Sequence, residues 1–246
     1  MEESWREVLN LANEAVTYTI GQAEQVIGGY AFATKALTFN APHAGWFGVP
    51  PAGQRAVWSY ASYDCVPPSL GPLDGVDLMI SIALSSQISA DAILGMQVVA
   101  PVVSEALANI PITITFWDLP PAEISNPATG SYGWWMERAR QLLVAVPDVA
   151  AAIAHKTLHH KRPWQFPLLD NKTLAALPSG QAWVTVHNDL TTQIDAFADL
   201  EAWFAAEAAK RSTVSLTRLR LHDILLWCDV TGQRGAAGAA GQALGF

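Results

Sequence analysis

Asp170 follows an apolar turn, Phe166-Pro167-Leu168-Leu169, and stands directly before Asn171-Lys172-Thr173. An Asp so placed has two readings. Its side chain can accept backbone N–H groups of a following helix as an N-cap. If the helix opens onto a cleft, its anion can instead stabilise a developing positive charge or orient a water. Cations gather just upstream. Of 14 Lys and Arg residues, Lys156, Lys161 and Arg162 fall in one short segment with His155, His159 and His160. His155 and His159 are four apart and share a helix face, a spacing that can hold a metal. No Glu completes an HExxH pattern and no third ligand is evident, so a solvated basic helix end is the preferred reading and no metal is expected. Lys161-Arg162-Pro163-Trp164 sets cations beside an aromatic ring, which suits phosphate or nucleic acid and equally suits a Trp packed under a Pro turn. Trp117-Asp118, ahead of Pro120-Pro121, reads as cleft lining or as packing. No Walker loop, GxGxxG, GxSxG or zinc-finger spacing occurs, and no cofactor is expected.

Helical segments must position these residues. Val8, Leu11, Ala12, Ala15 and Val16 recur at helical spacing and predict an opening helix over Glu2–Ile20, interrupted by Gly21 and then Gly28-Gly29. Residues 40–72 change character, with five prolines before Pro72 and several glycines among Trp46, Phe47, Trp58, Tyr60 and Tyr63. They predict a lid or a packed irregular layer, with two short strands near Ala56–Ser62. Ser89 predicts an N-cap, followed by a helix that Pro101 disturbs. Pro111–Trp117 reads as a strand or a loop. Ser131 caps a helix over Tyr132–Val144, Pro147 breaks it, and Val149–His160 is the next. Trp183–His187 is ambiguous. Asn188 or Asp189 caps a long amphipathic helix, and Val214–Val230 is a final helix, with Cys228 buried in it. The Gly/Ala-rich tail, residues 231–246, is expected to be flexible, which leaves residues 1–230 as one helical domain.

Composition bounds the classes. The chain of 246 residues is 51% hydrophobic and 15% charged, against about 25% charged in typical domains; a chain like this buries a sizeable core. No uninterrupted apolar run of about 18 residues is seen, and the acidic start Met1-Glu2-Glu3 lacks a basic leader. A cytoplasmic protein without a membrane partner is expected. The net charge of −8 argues against a DNA-binding surface on average, while the Lys156–Arg162 cluster argues for one locally.

The segment Val146–Thr173 resembles the core of the helix-hairpin-helix DNA glycosylase superfamily, over 28 of the 246 residues. In that family a Leu-Pro-Gly-Val-Gly hairpin precedes a helix, and the chain then passes a Phe-Pro-type turn to a catalytic Asp. Val146-Pro147-Asp148-Val149-Ala150 occupies the hairpin, Phe166-Pro167 the turn and Asp170 the catalytic position. The departures are specific. Asp148 and Ala150 replace glycines that let backbone N–H groups approach a phosphate. The position of the lyase Lys holds Ala152, with Lys156 one turn later, so a lyase mechanism is not implied. The chain is also similar to an uncharacterised bacterial family with a Lys-Arg-Pro turn, a following Pro-x-x-Asp, a Trp-Asp pair and a Leu/Trp-rich last helix.

The resemblance implies a mainly α fold of the helix-hairpin-helix glycosylase type, with a small irregular or β-containing segment. It implies hydrolysis of an N-glycosidic bond, with Asp170 catalytic and DNA held by Lys156, His159, Lys161, Arg162 and Trp164. The alternatives are a small-molecule enzyme on the same fold, its cleft including Trp117 and Asp118, and a non-catalytic nucleic-acid or protein-binding module.

Overall fold

The computed structural model describes residues 8–37, 53–69 and 71–246. Strand alternation governs the first of them. Leu9 and Leu11 on β1 (Val8–Leu11) and Val16 and Tyr18 on β2 (Val16–Thr19) are buried, while Val8 and Thr17 face outward. The strands pair antiparallel, Val8 opposite Thr19 and Leu11 opposite Val16. The opening helix expected over Glu2–Ile20 is therefore replaced, in its described part, by a hairpin. Its apolar residues fit both periods, and tertiary partners decide between them. Ala12 N–H donates to Asp189 Oδ2 (2.8 Å) and Asn10 N–H to Gln193 Oε1 (2.7 Å).

Thr19 and Gln22 form a capping box that starts α1 (Ile20–Phe32). Gly21, Gly28 and Gly29 do not interrupt this helix. Two of its glycines exist for a partner, α11 (Arg234–Ala243), which packs along α1. A Cβ on Gly29 would lie 1.9 Å from the Ala237 carbonyl oxygen, and one on Gly28 2.4 Å from the Phe246 ring. From the other side, a Cβ on Gly241 would lie 1.9 Å from the Gln25 carbonyl oxygen. The tail expected to be flexible is thus a docked helix, because small residues on both faces let two backbones touch. Phe246 completes it against Phe32 and Trp203.

β3 (Thr34–Ala36) and β4 (Gln54–Ala56) form a second antiparallel pair. Of the unusual segment at 40–72, residues 40–52 and Leu70 lie outside the described residues. The rest supplies β4, Trp58 and one π-helical turn, Tyr60–Asp64; the strands expected near Ala56–Ser62 reduce to β4.

Asp74 caps α2 (Gly75–Met79), which continues as a 3-10 turn, Ile80–Leu84. Ser89 caps α3 (Ala90–Ala108), which runs through Pro101 without ending. Met96, Ala100, Val103 and Leu107 bury one face of α3, which packs against α5 (Tyr132–Val144), itself capped by Ser131. Leu94, Val98 and Val102 remain exposed on the other side. At 19 residues α3 is the one helix among the described residues long and apolar enough to cross a membrane, by length and composition alone. Breaking the run at Pro101 hides that from the sequence.

A 3-10 turn, Phe116–Asp118, and the short α4 (Pro121–Ser125) precede α5. The later helices are α6 (Ala151–Lys161), α7 (Asn171–Ala176), α8 (Ala182–Thr192), α9 (Ile194–Lys210) and α10 (Arg218–Val230). α8 runs through Asn188 and Asp189 and breaks at Gln193, so neither residue caps a helix. One hydrophobic cluster extends from Leu9 to Ala237. The protein is mainly α-helical, with two separate two-stranded β segments.

The α1–α11 contact yields a direct prediction. Gly29→Ala or Gly241→Ala forces the helices apart and should cost about 3 kcal/mol, read as a lowered midpoint in urea melts. Gly21→Ala, which meets nothing within 4 Å, should leave the midpoint unchanged or raise it slightly.

Candidate active site

Asp170 is an N-cap, as one of its two readings requires. Its Oδ1 accepts Lys172 N–H (2.7 Å) and Thr173 N–H (2.9 Å), and Thr173 Oγ1 accepts Asp170 N–H in return. The cap uses one oxygen. Oδ2 accepts the Trp227 indole N–H at 3.1 Å, and Asp170 and Trp227 both line a cavity of about 500 Å³. Capping and cleft placement therefore coexist: the turn of chain that starts α7 also delivers a carboxylate to a pocket between α6, α7 and α10.

Asp223 stands in the same wall. It lies on α10, every residue of which from Leu219 to Leu226 is buried. Its Oδ2 accepts Arg220 Nη1, and its buried Oδ1 has no hydrogen-bond partner. Burial pushes its acid up to about 7, against the pull of Arg220 and with the help of the Asp170 charge. Arg220, 3% exposed, spends its other donors elsewhere. Nε and Nη2 grip Asp64 in a fork (2.7 and 2.9 Å), and Nη2 also donates to Tyr30 Oη (2.9 Å). The guanidinium faces the rings of Tyr30 and Tyr63, 5.5 Å from each.

Aromatic rings form another wall. Tyr30 stacks on Trp58 at 6.0 Å and meets Trp227 edge-on at 6.1 Å, and all three line the cavity. Lys156 enters from α6. Its ammonium donates to the Leu84 carbonyl (2.9 Å) and to Ser86 Oγ (3.0 Å), and burial lowers its pKa while Asp170 and Asp223 raise it. Asp148, the residue in the hairpin's first glycine position, takes φ 64°, the left-handed backbone a glycine would supply. It is exposed at the rim, next to the start of α6, whose N-cap Ala150 makes no side-chain cap.

The remaining expected binding residues are not gathered here, and α6 is not a solvated basic helix end. All its residues from Ala152 to Lys161 are buried. His159 donates from Nδ1 to the Phe166 carbonyl (2.7 Å), and burial drops its pKa to about 3. Lys161 Nζ donates to Asp77 Oδ2 (3.0 Å) and to the carbonyls of Ser69 (2.8 Å) and Pro72 (3.0 Å). Asp77 is fully buried. Burial alone would raise its carboxyl, but hydrogen bonds from His160, Ser69 and Lys161 outweigh that and hold it well below the usual range. His159 and Lys161 are both interior groups, His159 neutral and Lys161 with its charge paired where it lies. Arg162 is half-buried and Trp164 exposed, both on a different cavity. Trp117 is buried beneath the Arg218 guanidinium, 5.0 Å away, and Asp118 is exposed, accepting from Thr115 Oγ1. Neither reaches the Asp170 pocket. His155 accepts the Trp183 indole N–H on Nε2 (3.1 Å), and burial lowers its pKa to about 4. No group of three His, Cys, Asp or Glu is placed to hold a metal among the described residues.

Residues missed from sequence include Asp223, Arg220, Tyr30, Trp58 and Trp227. One signal was there to find. Arg220, His222 and Asp223 interrupt an otherwise apolar run from Leu219 to Trp227, and charges inside a buried helix pattern mark a functional or ion-paired site.

The fold and pocket thus define a mainly α-helical domain with two carboxylates, a lysine and an aromatic wall around one cavity. The chain belongs to a family of unknown function, DUF6308, whose match covers residues 45–230; α1 with Tyr30, and α11, lie outside that span. No curated protein and no solved structure matches the chain.

The buried histidines set an acid limit. His155 and His159 are neutral when folded and take up protons near 6.5 when unfolded. Their contribution is complete above that pH and is lost as pH falls toward about 4 and about 3. Asp223 acts oppositely, its contribution fading as pH rises from about 4 to about 7. His187, Glu137 and Glu207 are lowered as well and Glu24 is raised, so the lowered groups outnumber the raised ones and urea midpoints should fall from pH 6.5 to pH 4. His159→Gln should flatten that fall by about one proton; an unchanged slope would contradict the assignment of His159 as a neutral interior group.

Proposed function

We propose that the protein hydrolyses N-glycosidic bonds of small, free glycosides in the pocket that holds Asp170 and Asp223. The observation that carries this reading is the pairing of two carboxyl groups with different environments on one cavity. Asp170 is surrounded by N–H donors, the hydrogen-bonding pattern of an anion. Asp223, with its acid near 7, holds a proton in a large fraction of molecules at neutral pH. Such a division of two carboxyl groups suits one to stabilise charge and the other to transfer a proton.

The C1′–N bond breaks with its electron pair leaving on nitrogen, which takes the proton of Asp223. The Asp170 anion stabilises the cationic sugar carbon. A water adds to C1′, and its proton returns to Asp223. Tyr30, Trp58 and Trp227 offer the leaving group a flat apolar wall, and Lys156 holds the Leu84–Ser86 turn at the rim through its two hydrogen bonds. The resemblance of Val146–Thr173 to helix-hairpin-helix glycosylases supports the reaction type, and the left-handed Asp148 fits the hairpin. A free substrate is favoured over duplex DNA because Lys156, His159 and Lys161 are interior and leave α6 no cationic face for a phosphate backbone.

The test is release of free base from a panel of nucleosides and nucleotides, followed by chromatography. The rate should fall as pH rises through about 7, because Asp223 must carry a proton. Asp170→Asn should lower kcat by about 100-fold or more, and Asp223→Asn should lower it and abolish the neutral pH limb. Release from damaged duplex DNA alone would shift the assignment to DNA, and no release from either substrate class would overturn the glycosidase reading.

A further inference from the structure

Arg162 differs from every other buried cation near it. Lys161 and Arg220 each bond three residues and Lys156 two. Arg162, the C-cap residue of α6, has no carboxylate partner among the described residues, and its buried Nη1 has no hydrogen-bond partner at all. Burial lowers its pKa. A guanidinium held half out of water without an acceptor is costly unless a ligand supplies one.

A second orphan stands on the same cavity. Gln165 is 1% exposed. Its Nε2 donates to the carbonyls of Pro111 (2.8 Å) and Ile114 (3.1 Å), which fixes the amide's orientation. Its Oε1 is thereby left buried with no partner. Arg162 and Gln165 both line a cavity of about 250 Å³ that shares no residue with the Asp170 pocket. The remaining wall is largely apolar, with Pro68, Pro163, Ile112 and Trp164. Ile112 and Trp164 are 73% and 48% exposed and form open lips. Among the described residues no lining side chain carries a carboxylate, and the charge of Lys161 is already matched by Asp77. The unmet needs are therefore one anionic acceptor for Arg162, one donor for Gln165 Oε1, and an apolar group for Trp164 and Ile112.

We propose that this cavity binds a small carboxylate with an adjacent N–H and an apolar side group, the chemistry of an N-acylated amino acid. The carboxylate meets the Arg162 guanidinium, the N–H meets Gln165 Oε1, and the side group lies between Trp164 and Ile112. The volume suits a ligand of that size and is too small for a folded partner. This assignment takes up Lys161-Arg162-Pro163-Trp164, the cation–aromatic motif that the carboxylate pocket leaves unused.

Isothermal titration of the full chain with N-acetyl-L-leucine tests it, with N-acetyl-L-leucinamide and inorganic phosphate as comparators. One saturable site is expected for the acid, with no binding of the amide. Arg162→Met should weaken binding about tenfold or more, and Gln165→Leu several-fold. If Arg162→Met does not fold, Arg162→Lys keeps the charge but not the planar fork and should still weaken binding. No saturation into the millimolar range, equal binding of phosphate or the amide, or unchanged affinity in the Arg162 variant would each overturn the proposal.

Discussion

A guanidinium with 3% of its surface in water can be kept inside a protein only if its donors are met, and Arg220 meets that condition with groups from three parts of the chain. Asp64 comes from the π-helical turn, Tyr30 from α1 and Asp223 from its own helix. Each partner is fixed by the need to be there. The π-helical turn is tied to α10, α1 is tied to the pocket wall, and Asp223 must share a cation that Asp64 already grips with two oxygens. The unfilled Oδ1 of Asp223 follows from this arrangement. Removing Arg220 would leave two buried carboxylates without compensation, so the pocket and the packing around it rest on one side chain.

A second ionic knot does similar work at the far end of α6. Asp77, Lys161 and His160 join α2 and the Val66–Pro72 stretch to the helix. Between the two knots α6 carries two histidines, Lys156 and Thr157 in the interior. A helix built this way has no separate apolar and polar sides. Lys156, His159, His160 and Lys161 are held by named partners, whereas Thr157 Oγ1 and His155 Nδ1 have none, and the helix's orientation is set by hydrogen bonds as well as by burial of apolar area.

Local chemistry was legible in the sequence, and tertiary choice was not. Ser89, Ser131 and Asp170 read correctly as caps because a cap depends on the next three residues. The mainly helical class and the break at Pro147 were legible for the same reason. The hairpin at Val8–Thr19 was missed because its apolar spacing fits two periods and Asp189 and Gln193, 177 and 183 residues from their partners, decide between them. The docking of α11 was missed because glycine and alanine signal flexibility alone and close packing only in company. The basic segment was misread because sequence shows a charge but not its partner. Lys161 looks solvated until Asp77 is placed beside it. Asp170 was singled out because it carries a motif, whereas Asp223 was passed over although Arg220, His222 and Asp223 together break the apolar run of the last long helix.

The wiring of Arg220 also bears on when the pocket comes into being. Its bond to Tyr30 closes a separation of 190 residues, and its bond to Asp64 one of 156. Trp227 closes another to Asp170. Loops of that length form slowly, after local helices have gathered. During synthesis from the N-terminus, Asp170 leaves the ribosome before Arg220, Asp223 and Trp227, and α7, six residues long, is too short to stand alone. The cap and the cavity around it therefore form together, once α10 has packed against α7. Whatever the pocket does is confined to molecules that have completed their fold.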